Sequence, residues 1–160
     1  MVVVAANVTV ADPVANYVHK GKVLLPDPDK TPGDVMQTSV AKICRHGYAA
    51  TVRAVEDRTK QEVYDDYGAS KAPNVCCEVD HLISLELGGS NEKANLWPQP
   101  YEPIPGAHNK DVLENYLHHE VCAGRMTLAA AQEAIKTDWL AAYKKMPKKG
   151  KALTDAIKRR

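Results

Sequence analysis

Four side chains in the middle of the chain are suited to acid–base and metal chemistry: Asp80 and His81, side by side, then Asn95 and His108. A neutral imidazole can take a proton from water near pH 7. A carboxylate with a second imidazole suits a divalent ion left open to water and substrate. The side-chain carbonyl of Asn95 could hold His81 in the tautomer that a base requires. Phosphodiester hydrolysis needs such a base, together with a cation that stabilises charge on the phosphate and its leaving oxygen. Taken singly, each residue has a plainer reading: His81 as a hydrogen-bonded core histidine, Asp80 as a turn former, His108 as a helix-start residue. Their order along the chain favours a site.

The elements around them must bring these groups together. Val75, Cys77, Val79, His81 and Ile83 alternate, which predicts a strand over 75–83. Gly88-Gly-Ser-Asn91 makes a sharp turn, and Asn95-Leu-Trp97 opens a second short strand. Pro98, Pro100, Pro103 and Pro105 then argue against regular structure. From Ala107, Val112, Leu113, Tyr116, Leu117 and Val121 form one apolar helical stripe that Gly124 ends. A last helix, capped by Thr127, carries Leu128, Ala131, Ile135, Trp139 and Ala142 at helical spacing. Asp80 and His81 face opposite ways on a regular strand, so one site can use both only if the strand ends or kinks there.

Upstream, residues 1–30 contain Pro13, Pro26 and Pro28 and read as an extended arm. Val35, Val40 and Ile43 suggest a short helix or turn stopping at Gly47, and Tyr48–Val55 reads as a strand. Thr59-Lys-Gln-Glu62 has the capping-box pattern, with Val63, Tyr64 and Tyr67 continuing a helix that Gly68 ends.

With 160 residues, 44% of them hydrophobic and 26% charged, the chain suits one α+β domain with a real core. Phe is absent, so Leu, Ile, Val, Tyr and Trp must fill that core, and Trp97 and Trp139 read as core residues. The net charge of +1 gives no case for a nucleic-acid partner, but its distribution does. Lys144, Lys145, Lys148, Lys149, Lys151, Lys158, Arg159 and Arg160 crowd the last residues against Asp155 alone. Such a basic tail, over 144–160, can neutralise phosphates, or it can be a solvated, frayed end. No apolar run approaches the ~20 residues that span a bilayer. Met1–Ala6 is apolar but short and lacks a basic n-region, so it is not an intact signal peptide. A cytoplasmic protein is the default expectation, with a trimmed, exported form as the alternative.

Cys44, Cys76, Cys77 and Cys122 show no C-x-x-C spacing, which speaks against a zinc knuckle. They read as free thiols inside a cell, or as one Cys44–Cys122 disulfide in an exported chain. Adjacent Cys76 and Cys77 would face opposite ways on a strand and should not share a role. Beside Leu117 and Val121, His118 and His119 read as a helix flank, and Glu86 and Glu114 as structural; His19 and His46 receive no role.

Glu78-Val-Asp-His-Leu-Ile83, Leu85-Glu-Leu-Gly-Gly-Ser-Asn91, Asn95-Leu-Trp-Pro98 and Ala107-His-Asn-Lys-Asp-Val-Leu-Glu114 resemble the signature of HNH endonucleases, whose core is a ββα-metal fold. Thr31-Pro-Gly33, Ile43-Cys44, Gly47-Tyr48, Val52-Arg53, Tyr67-Gly68, Val121-Cys122 and Asp138-Trp139 are similar to a compact bacterial branch of that family, so the resemblance covers residues 31–143. It implies His81 as general base, Asp80 and His108 as ligands of one divalent ion, and Asn95 as orienting the base or supporting the loop. The implied products are a 5′-phosphate and a 3′-hydroxyl. Two departures stand out. The paired zinc-binding cysteines are missing, and Val112 stands where some relatives carry a second helix histidine. Two protein ligands plus waters fit Mg²⁺ first, with Mn²⁺ or Zn²⁺ as alternatives.

The partner expected on this resemblance is DNA, and RNA secondarily, held by its phosphates with little sequence specificity. Asn109 and Lys110 are phosphate-contact candidates beside Lys144, Lys145, Lys148 and Lys149. A monomer is the default, a membrane partner is not expected, and an inhibitor or immunity protein is compatible with the reading. Two rivals predict otherwise. A binding module of the same fold would hold nucleic acid without cutting it, and a structural zinc protein would unfold on chelation.

Overall fold

In the computed structural model, which describes residues 16–69, 76–148 and 150, helices and two small antiparallel sheets mix in an α+β arrangement. The elements run β1 (Val18–Lys20), β2 (Val23–Leu25), α1 (Val40–Ile43), α2 (Tyr48–Val52), α3 (Asp57–Tyr67), β3 (Cys77–His81), β4 (Leu96–Pro100), α4 (Ala107–Cys122) and α5 (Leu128–Lys145). The sheets are the pairs β1–β2 and β3–β4. No helix among the described residues is long and apolar enough to cross a membrane.

The described part of the expected arm, 16–30, is a hairpin instead. Lys20 pairs with Val23 across a two-residue turn whose first member, Gly21, takes φ 66°, a left-handed value that suits such turns. The hairpin belongs to the core. Tyr17 is buried, its ring 4.8 Å from that of Tyr67, and its hydroxyl donates to the Pro98 carbonyl at 2.9 Å. Residues 1–15 lie outside the described residues.

Tyr48–Val52 is helical rather than a strand. Among the described residues no strand lies free to pair with it, and Ala49 and Ala50 favour helix. The next helix starts at Asp57, two residues ahead of the expected cap at Thr59, with its acid in the first turn where the helix dipole favours it. Gly68 at φ 61° closes it.

β3 and β4 pair from Cys77↔Pro100 to His81↔Leu96, so Pro98 and Pro100 sit inside a strand. The geometry explains why they are tolerated. The Leu96 and Pro98 carbonyls accept from Thr31 and Tyr17, so the even-numbered backbone groups of β4 point away from β3. The missing N–H of each proline therefore costs the ladder nothing.

α4 and α5 match the expected helices, and Thr127 Oγ1 accepts from Ala130 N at 3.2 Å. α5 breaks at Asp138, whose carboxylate recaps the second half through Ala141 N and pairs with Lys20. Lys144 and Lys145 belong to the last turn of α5 rather than to a tail. Lys149 and residues 151–160 lie outside the described residues. The core gathers Tyr67, Leu82, Ile83, Trp97, Leu113, Leu117, Ile135 and Trp139.

A disulfide joins Cys44 to Cys122, tying the end of α1 to the end of α4. A second joins Cys76 to Cys77, contrary to the separate roles that strand alternation predicts for them. Cys76 lies ahead of β3, so strand alternation does not govern its side chain.

Candidate functional site

The loop from Leu82 to Asn95 is folded by one residue. Asn95 is fully buried, and its amide is fully used: Oδ1 accepts from Ile83 N (2.9 Å) and Asp34 N (3.4 Å), while Nδ2 donates to the Ile83 and Ser90 carbonyls (2.9 Å each). A Cβ at Gly89 would overlap the Ile83 carbonyl, so this close approach requires glycine. The Asn95 side chain thus supports the loop and makes no bond to the His81 ring.

That bond comes from Asn91. His81 is buried at the end of β3, and its Nε2 lies 3.1 Å from Asn91 Oδ1. Asn91 Nδ2 donates to the Val52 carbonyl (2.7 Å) and Oδ1 accepts from Ala54 N (3.3 Å), which fixes the sense of the amide. Facing an oxygen, Nε2 carries the imidazole proton, and Nδ1 keeps its lone pair. Burial lowers the His81 pKa, with the charges of Arg53 and Lys110 acting the same way and Asn91 and Asp80 opposing. The ring is therefore neutral at pH 7.

Asp80 turns to α4. Its Oδ2 accepts from Lys110 Nζ at 2.8 Å, and the same ammonium donates to the His81 carbonyl at 2.6 Å and to Glu114. Lys110 is fully buried and all three of its protons are used, so none is left for a phosphate. Burial works against this ammonium, but Asp80 and Glu114 outweigh it and raise the Lys110 pKa. Burial also raises the Glu114 pKa, with Lys110 opposing and Asp80 adding to the rise. The stripe that α4 buries is Ala107, Lys110, Leu113, Leu117 and Val121, with Lys110 as a member.

Glu78, two residues from Asp80, shares its strand face. Burial raises the Glu78 pKa, Asp80 and Asp111 add to the rise, and His108 and the Tyr101 hydroxyl oppose it. His108 stands in the first turn of α4 with its side chain 77% exposed, 3.6 Å from the Asp111 carboxylate and 5.3 Å centroid to centroid from Tyr101. Asp80, Asp111 and His108 thus all act on Glu78 through their charges, but the four side chains are not gathered to metal-ligand spacing: among the described residues only Cys44, His118 and Cys122 have donor atoms that close. His81 stands apart from them, on the Asn91 side.

Asn109 closes the start of α4, accepting from Gly106 N at 2.9 Å and donating to the Tyr143 hydroxyl at 3.1 Å, and so has a structural task instead of a phosphate. Lys144 and Lys145, next to Tyr143, are exposed, as is Lys148. The donor atoms of Cys44, His118 and Cys122 lie within 4.8 Å of one another, the spacing of a metal-binding group, but the two sulfurs are bonded together here.

Asn91, Glu78 and Asp111 were not singled out from the sequence. Asn91 lies inside the Gly-Gly-Ser-Asn turn, and Glu78 sits at i−2 from Asp80, so these two had a usable signal and Asp111 did not. Set against family models, curated proteins and solved structures, the chain matches none of them, and the functional reading rests on this arrangement.

Proposed function

We propose that the protein is a metal-dependent endonuclease of the HNH kind, hydrolysing phosphodiester bonds of DNA, and secondarily of RNA, with little sequence preference. One observation carries the reading: a buried His81 whose Nε2 is tied to Asn91, leaving Nδ1 free to accept a proton. The strand–loop–strand–helix order from β3 to α4 supports it, as do the acidic residues on the other side of β3.

Glu78, Asp80, Asp111 and His108 are oxygen-rich donors with one imidazole, a set that fits a hard divalent ion such as Mg²⁺ or Mn²⁺. Burial and then the charges of Asp80 and Asp111 raise the Glu78 pKa, and a cation bound there would offset the repulsive part. When bound, the ion supplies positive charge to the phosphate and its departing 3′ oxygen. His81 Nδ1 takes the proton of the attacking water as the new P–O bond forms and the P–O3′ bond breaks. Asn91 holds the ring against rotation. Lys110 anchors Asp80 without competing for substrate. Exposed Lys144, Lys145 and Lys148 can add phosphate contacts. Two disulfides favour an oxidising compartment and hence the exported form.

Plasmid cleavage by chelated protein, with Mg²⁺, Mn²⁺ or Zn²⁺ added back, tests this beside His81→Ala. Metal-restored cutting by the wild type, reduced ~10²- to 10⁴-fold in the variant, is expected. Equal cutting by both would remove His81 as the base. DNA binding without cutting under any metal would leave a binding module.

A further inference from the structure

A recess runs between the α1–α2 segment and α4. Arg45, His46 and Arg53 line one wall; Asn115, His118 and His119 line the other. Its single acid is Glu86, with Oε2 buried and no hydrogen-bond partner among the described residues. Arg45 and Arg53 are exposed, as is Lys42 on a shallower hollow shared with Arg45. None of the three has a carboxylate partner among the described residues, whereas Lys20, Lys30, Arg58, Lys60, Lys93 and Arg125 are all paired.

The position of Arg53 is fixed relative to the candidate base. Asn91 bonds the carbonyl of Val52 and the N–H of Ala54, the two residues flanking Arg53, and the same amide bonds His81. The charge of Arg53 reaches the His81 ring. His81 does not line the recess, but an anion held by Arg53 is tied to the His81 ring through Asn91, and one held by Arg45 lies further along the same recess. Unpaired guanidiniums in sequence along a groove suit successive phosphates, each fork taking a phosphate through paired N–H bonds.

We propose that this recess is the track for the phosphodiester backbone, with Arg45 and Arg53 gripping successive phosphates and delivering one of them to His81. The inference rests on the hydrolase reading for its substrate but stands on separate residues. It also places the main phosphate grip away from Lys110, whose three protons are spent inside the protein, and from Asn109, which caps α4.

The test is duplex binding by fluorescence anisotropy across a salt series, in full-length His81→Ala protein so that cutting does not intervene. Adding Arg45→Ala and Arg53→Ala should weaken binding roughly tenfold or more at low salt. It should flatten the slope of log K against log salt by about 2, near one for each phosphate that is no longer neutralised. Both side chains are exposed, and an unchanged thermal midpoint confirms the fold. Unaltered affinity and slope would overturn the inference, as would inorganic phosphate alone binding as tightly as the duplex, which would mark a single-anion site. The two readings fail separately. Unaltered binding in the His81→Ala background, with cutting that persists when the same arginine substitutions are made with His81 intact, sinks the track and spares the hydrolase. Arginine-dependent binding with no cutting under any metal does the reverse.

Discussion

One residue apart, the two sides of β3 are held by opposite kinds of chemistry. On the His81 side the polar groups are neutral amides, buried Asn95 and half-buried Asn91, each bonded to backbone at both ends. On the Asp80 side a fully buried ammonium, Lys110, stands between the half-buried carboxyl groups of Asp80 and Glu114, with Glu78 and Asp111 beyond. A satisfied amide costs little to bury and has directional bonds, so it fixes where a ring points. An ion costs much more to bury, and its presence sets the local charge as well as position. Orientation and charge are thus assigned to different sides of a single strand, and each can be broken without the other.

The ionic side should show the larger effect. Lys110→Met removes the buried cation on which the half-buried Asp80 and Glu114 both converge and should cost about 3–5 kcal/mol in urea denaturation. A destabilisation under about 1 kcal/mol would mean that the cluster is solvated in solution. Next comes Asn95→Ala, which strands the Ile83 N–H and the Ile83 and Ser90 carbonyls; about 2–3 kcal/mol is expected, read the same way. Asn91→Ala should cost less stability, about 1 kcal/mol, yet slow cleavage about tenfold by freeing the His81 ring. If stability and cleavage fell together there, Asn91 would be structural only.

The smallest effect is in pH. Because burial lowers the His81 pKa, the base stays neutral below the ordinary histidine value of 6.5. The acid limb of the cleavage profile should therefore have its midpoint below 6.5. Asn91→Asp should move it upward, since a carboxylate there favours the protonated ring. A limb above 6.5 in the wild type would contradict the buried setting of the base.

The helices α4 and α5 could be read from the sequence because their apolar spacing is regular and their ends carry Gly124 and Thr127. The strand around Asp80 was legible from its alternation. The β1–β2 hairpin was not, since its strands are three residues each and its stability comes from Tyr17 meeting Tyr67 and Trp97, contacts remote in sequence. Tyr48–Val52 misled because a short run of β-tolerant residues cannot be told from a helix without knowing whether a partner strand exists. At the candidate site, residue types did not give the partnerships. Lys110 looked like a surface cation, although its spacing from Ala107 and Leu113 already put it on the buried stripe. The exchange of roles between Asn95 and Asn91 depends on how the loop over 82–95 folds back on itself, which no local pattern encodes.

The Cys44–Cys122 bond has a consequence for the chain as a thread. It closes residues 44–122 into a covalent circle that contains α2, α3, β3, the asparagine loop, β4 and α4, with the first hairpin and α5 hanging outside. A protease that cuts once between 45 and 121 opens the circle but releases nothing, because the two pieces remain one molecule. Under oxidising conditions, every residue of the candidate site therefore stays tethered to the others after a single nick, and only a second cut or a reductant can part them.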